Sequence, residues 1–279
     1  MTPGAPRTDR GRRPSPGAPR LTTAFRVADN PAPMMREPLA ARGVGTGNGF
    51  RRRGIEIQRI EGFSDAVMAF AVTLLVVSLE VPHTFSELLE RMSGFVAFAL
   101  AFALLLRIWF LQYQWFRRYG LEDGFVITLN GALLFVVLFF VYPLKFLFTF
   151  LVRSFTGQDT RVLTPDGALH PAIGVTDMRT LMLVYGLGYI AVFGAFWLLY
   201  NHAWRRRDLL DLSPLERFDT RSTMHEAAIN VAVATLSVLI AFVANYRLAG
   251  IAGLTYMLLA PVMTGFGWWR GRRRRKLTY

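Results

Sequence analysis

No cysteine occurs in the 279 residues, which removes disulfide frameworks, thiolate metal sites and cysteine nucleophiles together. Charged residues are scarce, at 18% against about 25% in soluble domains. The four histidines, His83, His170, His202 and His225, form no H-E-x-x-H pattern, so zinc-hydrolase chemistry has no support. The first fifty residues hold no apolar run long enough for a signal-peptide core. What the chain has in excess is apolar side chains. Hydrophobic residues make up 53% and aromatics 14%, and mean hydropathy is +0.32 although the first fifty residues are polar. This composition favours an integral membrane protein over a soluble enzyme built round one large core.

Six apolar stretches stand out: Ile60–Val81, Gly94–Gln112, Phe125–Leu144, Thr180–Tyr200, Ala227–Tyr246 and Leu248–Trp269. Each has about twenty residues, and at about 1.5 Å per residue each crosses a hydrocarbon core of about 30 Å. Of the 32 Lys and Arg, 25 lie in the stretch to Arg59, at Arg117 and Arg118, between Arg205 and Arg221, and from Arg270 to Lys276. Only 5, namely Arg91, Arg153, Arg161, Arg179 and Arg247, lie on the other side. That asymmetry is the positive-inside pattern, with an even number of crossings. The net charge of +13 is therefore read as anchoring against lipid headgroups, with no nucleic-acid partner. The fold class expected is an all-α integral membrane protein with six transmembrane helices and both termini cytoplasmic.

Residues 1–53 are expected to be a disordered basic tail, since the first fifty hold eight of the fourteen prolines and seven glycines. A start at Met34 or Met35 would remove nothing membrane-bound. Residues 54–269 form the six-helix domain, and 270–279 a basic cytoplasmic tail. The segment Arg153–Arg179 reads as an outward loop. In Ser213-Pro214-Leu215-Glu216, Ser213 has the character of a helix cap, with Pro214 first and Glu216 third in the helix. Arg107 is expected to reach toward the cytoplasm, Lys145 to mark the outer end of the third span, and Pro261 to kink the sixth. Gly186-Leu187-Gly188-Tyr189 reads as helix packing through small residues rather than a filter loop.

The first stretch carries charge where charge is costly. It opens Arg59-Ile60-Glu61-Gly62-Phe63-Ser64-Asp65. Arg59 and Asp65 are six residues apart, about 120° around a helix, so each needs a partner on another helix or subunit. The motif is open to two readings, a packing cluster or a functional one. Phe63, Val67, Phe70, Leu74, Val77 and Val81 follow 4-3-4-3-4 spacing as one bulky stripe, beside a small face of Ala66, Ala69 and Thr73. No nucleophile–base or metal cluster is visible, so no enzyme and no metal site is expected.

Arg59-x-x-x-Phe63-Ser64-Asp65 followed by an apolar run to Pro82 closely resembles the signature helix of the transmembrane protein 175 family, lysosomal potassium channels and their prokaryotic relatives. Trp109, Asp123 and Asn130 stand where that family has a tryptophan, an aspartate and an asparagine. The resemblance implies a homotetramer of single six-helix units in a bacterial inner membrane, passing potassium along an axis lined by the first helices. Carried over from Asp65, the hydrophobic constriction falls on Phe70, where the family usually has isoleucine or leucine. Leu74 and Val77 form further layers, with Thr73 beside them. In place of the histidine pair that often follows the family's tryptophan stand Gln112 and Tyr113. The partners implied are a second copy of the chain, the lipid bilayer and a permeant monovalent cation, with no cofactor. Arg59, Ser64 and Asp65 are expected to hold the cytoplasmic end of the helix through intersubunit hydrogen bonds. The rival reading is a proton-coupled transporter in which Asp65 titrates.

Overall fold

A computed structural model describes Met1 and residues 46–47, 49–54, 56–77, 83–85, 88, 94–157, 160–163, 167, 169–174, 177–243 and 251–278. The chain divides after Arg42, and all that follows concerns the unit Gly43–Tyr279. The expected disorder of residues 2–45 and of residue 48 lies outside the described residues. Residues 46–47 and 49–53 depart from that expectation. β1 (Thr46–Gly47) pairs antiparallel with β2 (Phe50–Arg51) across a turn at Gly49, whose φ of +80° suits glycine. Phe50 is buried edge-on against Tyr119, so an apolar anchor holds the hairpin down.

Five long helices follow: α1 (Arg59–Val77), α2 (Phe95–Tyr119), α3 (Gly124–Phe155), α4 (Asp177–Arg205) and α5 (Pro214–Val243). All five are long and apolar enough to cross a membrane. Their ends follow from local chemistry. α2 stops at Gly120, whose φ of +59° lets its N–H return to the Phe116 carbonyl. Asp123 caps α3 by accepting from the Val126 N–H. At the start of α5, Ser213 Oγ accepts from the Glu216 N–H while Glu216 Oε2 accepts from the Ser213 N–H, the reciprocal capping box that the sequence implied.

Two boundaries differ from the sequence reading. α3 does not end at Lys145 but runs through Pro143 to Phe155, because the residues beyond the proline are again apolar and Tyr185 Oη donates to the Pro143 carbonyl. The sixth apolar stretch is not one helix. It is divided into α6 (Ile251–Leu254), a 3₁₀ turn (Thr255–Leu258) and α7 (Leu259–Thr278). Pro261 lies in the first turn of α7, where its missing N–H costs little, and the α-helical geometry is interrupted at the 3₁₀ turn before it. α7 continues through Arg270–Lys276, so the basic C-terminal segment is helical. Between α3 and α4, β3 (Arg161–Leu163) and β4 (Leu169–Pro171) form a second antiparallel hairpin.

The core lies between α1, α2, α3 and α4, with Leu75, Trp115, Phe116, Leu133, Phe196 and Leu199 almost fully buried. α4 packs along α5. A β-carbon on Gly186 would collide with Val238, and one on Gly188 with the Phe140 ring. Both glycines are thus close-packing positions, as the sequence suggested.

Candidate functional site: the α1 face and its polar cluster

α1 has two unlike sides. Glu61, Ser64, Met68, Ala71 and Leu75 are buried in the protomer. The opposite side is exposed: Phe63 is 61%, Phe70 55% and Val77 68% accessible, with Ala66, Ala69 and Thr73 open beside them. Leu74 departs from the expected stripe, being half-buried against the core. The Thr73 hydroxyl donates to the Ala69 carbonyl at 2.9 Å, so it can still present lone pairs outward. Next to this face a groove of about 420 Å³ runs between α1 and α2, lined by Asp65, Ala69, Val72, Phe102, Leu106 and Trp109 among others.

The buried side holds a chain of polar groups. Ser64 Oγ donates to the Ile60 carbonyl at 2.7 Å and accepts from Asn130 Nδ2 at 2.9 Å. Asn130 Oδ1 in turn accepts from Gln112 Nε2. Asp65 Oδ1 accepts from the Trp109 indole N–H at 2.7 Å. Of the residues expected from sequence, Ser64 and Asn130 are thus joined in a buried chain and Asp65 and Trp109 in a separate, exposed pair, each within one protomer. The expected intersubunit role gives way for Ser64, which is 2% exposed and has its partner on α3 of its own chain. Arg59 and Phe63 do not join the cluster; both are exposed, and Arg59 makes no side-chain bond among the described residues.

Sequence reasoning missed Gln112 as a member of the network, although a polar side chain inside an apolar run is the signal that reveals one. It also missed Glu61, which pairs with Arg117 at 3.2 Å. Asp123 lies apart, where the start of α3 meets the end of α4. There His202 Nε2 is 2.7 Å and Arg206 3.3 Å from its Oδ2. Burial alone would raise its carboxyl pKa, but His202, the Val126 N–H and Arg206 outweigh that and hold it below the usual carboxylate range.

A second cluster fastens the segment before α1. Arg53 reaches Glu216 through Nη2 to Oε2 at 2.9 Å and Nη1 to Oε1 at 3.1 Å, and the Arg51 N–H donates to Oε1 at 2.7 Å. The Arg53 N–H donates to the Arg117 carbonyl at 3.2 Å, Arg117 Nη1 to the Gly54 carbonyl at 2.8 Å, and Gln58 Nε2 to the Gly120 carbonyl at 3.1 Å. Residues 50–54 and Gln58 thereby strap the start of α1 to the end of α2 and the start of α5. Among the described residues no group of three or more metal-ligating side chains converges.

Long apolar helices, a polar chain buried within the bundle and one apolar helix face left open are the features of a multi-pass membrane protein. The comparisons agree. Residues 59–140, from the start of α1 into α3, match the family model described as endosomal/lysosomal potassium channel TMEM175. A Marivirga tractuosa protein described as a potassium channel is 39% identical over 237 residues, 84% of this chain and 96% of its own length. A Chamaesiphon minutus protein, also described as a potassium channel, is 34% identical over 106 residues, 35% of this chain and 52% of its own. The crystal structure of a variant of the potassium channel MtTMEM175, in complex with a nanobody–MBP fusion protein, is similar with a TM-score of 0.70 and 38% identity, covering 82% of this chain and 99% of that one. The chain belongs to the TMEM175 family of potassium channels.

Proposed function

We propose that four copies of this chain form a potassium-preferring cation channel of a bacterial inner membrane, with α1 of each copy lining the shared axis. The observation that carries the reading is the open apolar face of α1, on which Phe63, Phe70 and Val77 stay more than half exposed although the other side of the helix is buried. A single helix cannot enclose a path, so a path along this face needs further copies. Copies related by rotation about an axis meet head to tail.

Phe70 is the narrowest layer in this reading, with Thr73 and Val77 further along and Leu74 contributing only its open side. Such a ring blocks or passes ions through its width and wetting. The choice of potassium is supported by the relatives, which are described as potassium channels. Six crossings are supported by charge: α6, the 3₁₀ turn and α7 up to Trp269 together extend about 28 Å at 1.5 Å per residue, which returns Arg270–Lys276 to the basic side.

Mass measurement in nanodiscs, with potassium efflux from liposomes under a gradient, tests the proposal. A tetramer that releases potassium without a proton gradient is the expected result. A stable monomer, or no efflux from vesicles that an ionophore empties, overturns it. Efflux only with a proton gradient favours the transporter in which Asp65 titrates.

A further inference from the structure

The last turns of α7 divide their cations between two sides. Arg270 Nη1 is 2.5 Å from Glu226 Oε1, with Nη2 3.6 Å from Asp219 Oδ1. Arg274 Nε lies 3.0 and 3.1 Å from the two Asp219 oxygens. Four residues apart, Arg270 and Arg274 share the side that faces α5. Arg272, Arg273, Arg275 and Lys276 fall on the remaining arc; all four are exposed and none has a carboxylate partner among the described residues. The same arc carries Trp268, 62% exposed, and Trp269, 40% exposed. The Arg272 guanidinium lies 3.4 Å from the Trp268 ring centroid, and that of Arg273 4.9 Å from the Trp269 centroid.

The depth of this face follows from its partners. Glu226 is the last charged residue of α5 before the apolar run that begins at Ala227, so the Arg270–Glu226 pair stands at the edge of the apolar layer. Arg272 to Lys276 then extend about 3–9 Å beyond it along the helix, within about one screening length of the headgroups at physiological salt. Tryptophan gathers at membrane–water boundaries, and guanidinium groups bind phosphate oxygens in pairs.

We infer that the outward face of α7, formed by Trp268, Trp269, Arg272, Arg273, Arg275 and Lys276, is a binding site for the phosphate headgroups of anionic phospholipids. A tryptophan beside each stacked arginine puts the apolar rim of the site at the glycerol level and its cations at the phosphate level. A nucleic acid would meet the same cations but would leave the boundary position of the two indoles without a role. The inference rests on the membrane location of the chain and is independent of which residues line a pore.

The test uses the full chain in neutral detergent, with native mass spectrometry and thermal unfolding in the presence of phosphatidylglycerol, phosphatidylcholine, inorganic phosphate or a single-stranded oligonucleotide. Phosphatidylglycerol is expected to remain bound and to raise Tm more than phosphatidylcholine, with high salt weakening the preference and inorganic phosphate failing to reproduce it. R272Q/R273Q/R275Q/K276Q is expected to weaken phosphatidylglycerol binding roughly tenfold or more and to leave phosphatidylcholine unchanged. R272K/R273K/R275K preserves charge and folding while losing the paired donors, and its loss is expected to be smaller. Equal retention of the two lipids, or a phosphatidylglycerol preference that survives in the glutamine variant or at high salt, overturns the inference. So does an oligonucleotide that displaces the lipid, or a glutamine variant that changes subunit number without changing lipid retention.

Discussion

Trp109 on α2 donates its indole N–H to Asp65 on α1 at 2.7 Å, so the carboxylate of the signature motif is held inside its own protomer by a neutral partner. An asparagine at 65 keeps the acceptor. Asp65→Asn is expected to cost less than about 1 kcal/mol, whereas Asp65→Leu or Trp109→Phe costs about 1–3 kcal/mol, the range for hydrogen bonds to charged groups. Thermal unfolding in detergent separates them. If Asn and Leu at 65 are equally damaging, the charge itself matters, as an unmatched carboxylate would require.

Asn130 is the middle of a buried chain, bonded to Ser64 on one side and Gln112 on the other. Asn130→Ala leaves two partners unsatisfied and is expected to cost about 2 kcal/mol or more, against about 1 kcal/mol for Ser64→Ala at the end of the chain. The double variant should lose less than the sum, because both substitutions remove the same bond. Strict additivity in the melting data would show that the network does not act as a unit.

The Asp123 carboxyl titrates below its usual range. Its stabilising contacts with His202 and Arg206 are therefore complete above the unfolded value of about 3.9 and are lost as pH falls through the lower folded value. Asp123→Asn should flatten the acid side of the Tm–pH curve while keeping the helix cap. Asp123→Ala should lose a further ~0.5–2 kcal/mol at neutral pH through the cap. An unchanged acid limb in Asp123→Asn would remove this account.

The strap before α1 depends on a close backbone approach. A β-carbon on Gly54 would stand 2.5 Å from the Phe116 carbonyl oxygen, and backbone there cannot swing aside as a side chain can. Gly54→Ala is expected to release residues 50–54, seen as faster proteolysis of that segment. Arg53→Ala leaves the fully buried Glu216 short of its main cation and should cost about 3 kcal/mol. If Gly54→Ala leaves proteolysis unchanged, the strap does not depend on that approach.

Phe70→Ala is expected to raise cation flux and weaken discrimination between potassium and sodium by widening and wetting the narrowest layer. Met68 is no silent control, because it is 5% exposed in the protomer core and its truncation should cost about 2–5 kcal/mol. Val76, 46% exposed on the other edge of the open face, is the appropriate comparison. Flux that rises in Val76→Ala but not in Phe70→Ala would place the axis on that other edge.

The amino-acid sequence alone specifies the long helices and several of their ends. Apolar runs of membrane length, a glycine after Tyr119 and Ser213 three residues before Glu216 act over a few residues, so their outcome can be read along the chain. It also determined the family, because the spacing of Arg59, Phe63, Ser64 and Asp65 is itself linear. The division of the sixth stretch was not legible, since its mean apolarity is the same whether the residues form one helix or turn at Thr255–Leu258.

Which side of α1 is buried is set by packing against helices distant in sequence. Ser64 and Asp65 are neighbours in sequence, yet one turns inward to Asn130 and the other toward Trp109 at the mouth of an open groove. The bulky stripe and the buried side repeat with the same helical period, so periodicity alone cannot say which meets the protein. That choice is made by Asn130 on α3, itself bonded to Gln112 on α2: an unpaired polar group in a membrane is costly, and the Ser64 side offers Asn130 a hydrogen bond that the phenylalanine side cannot.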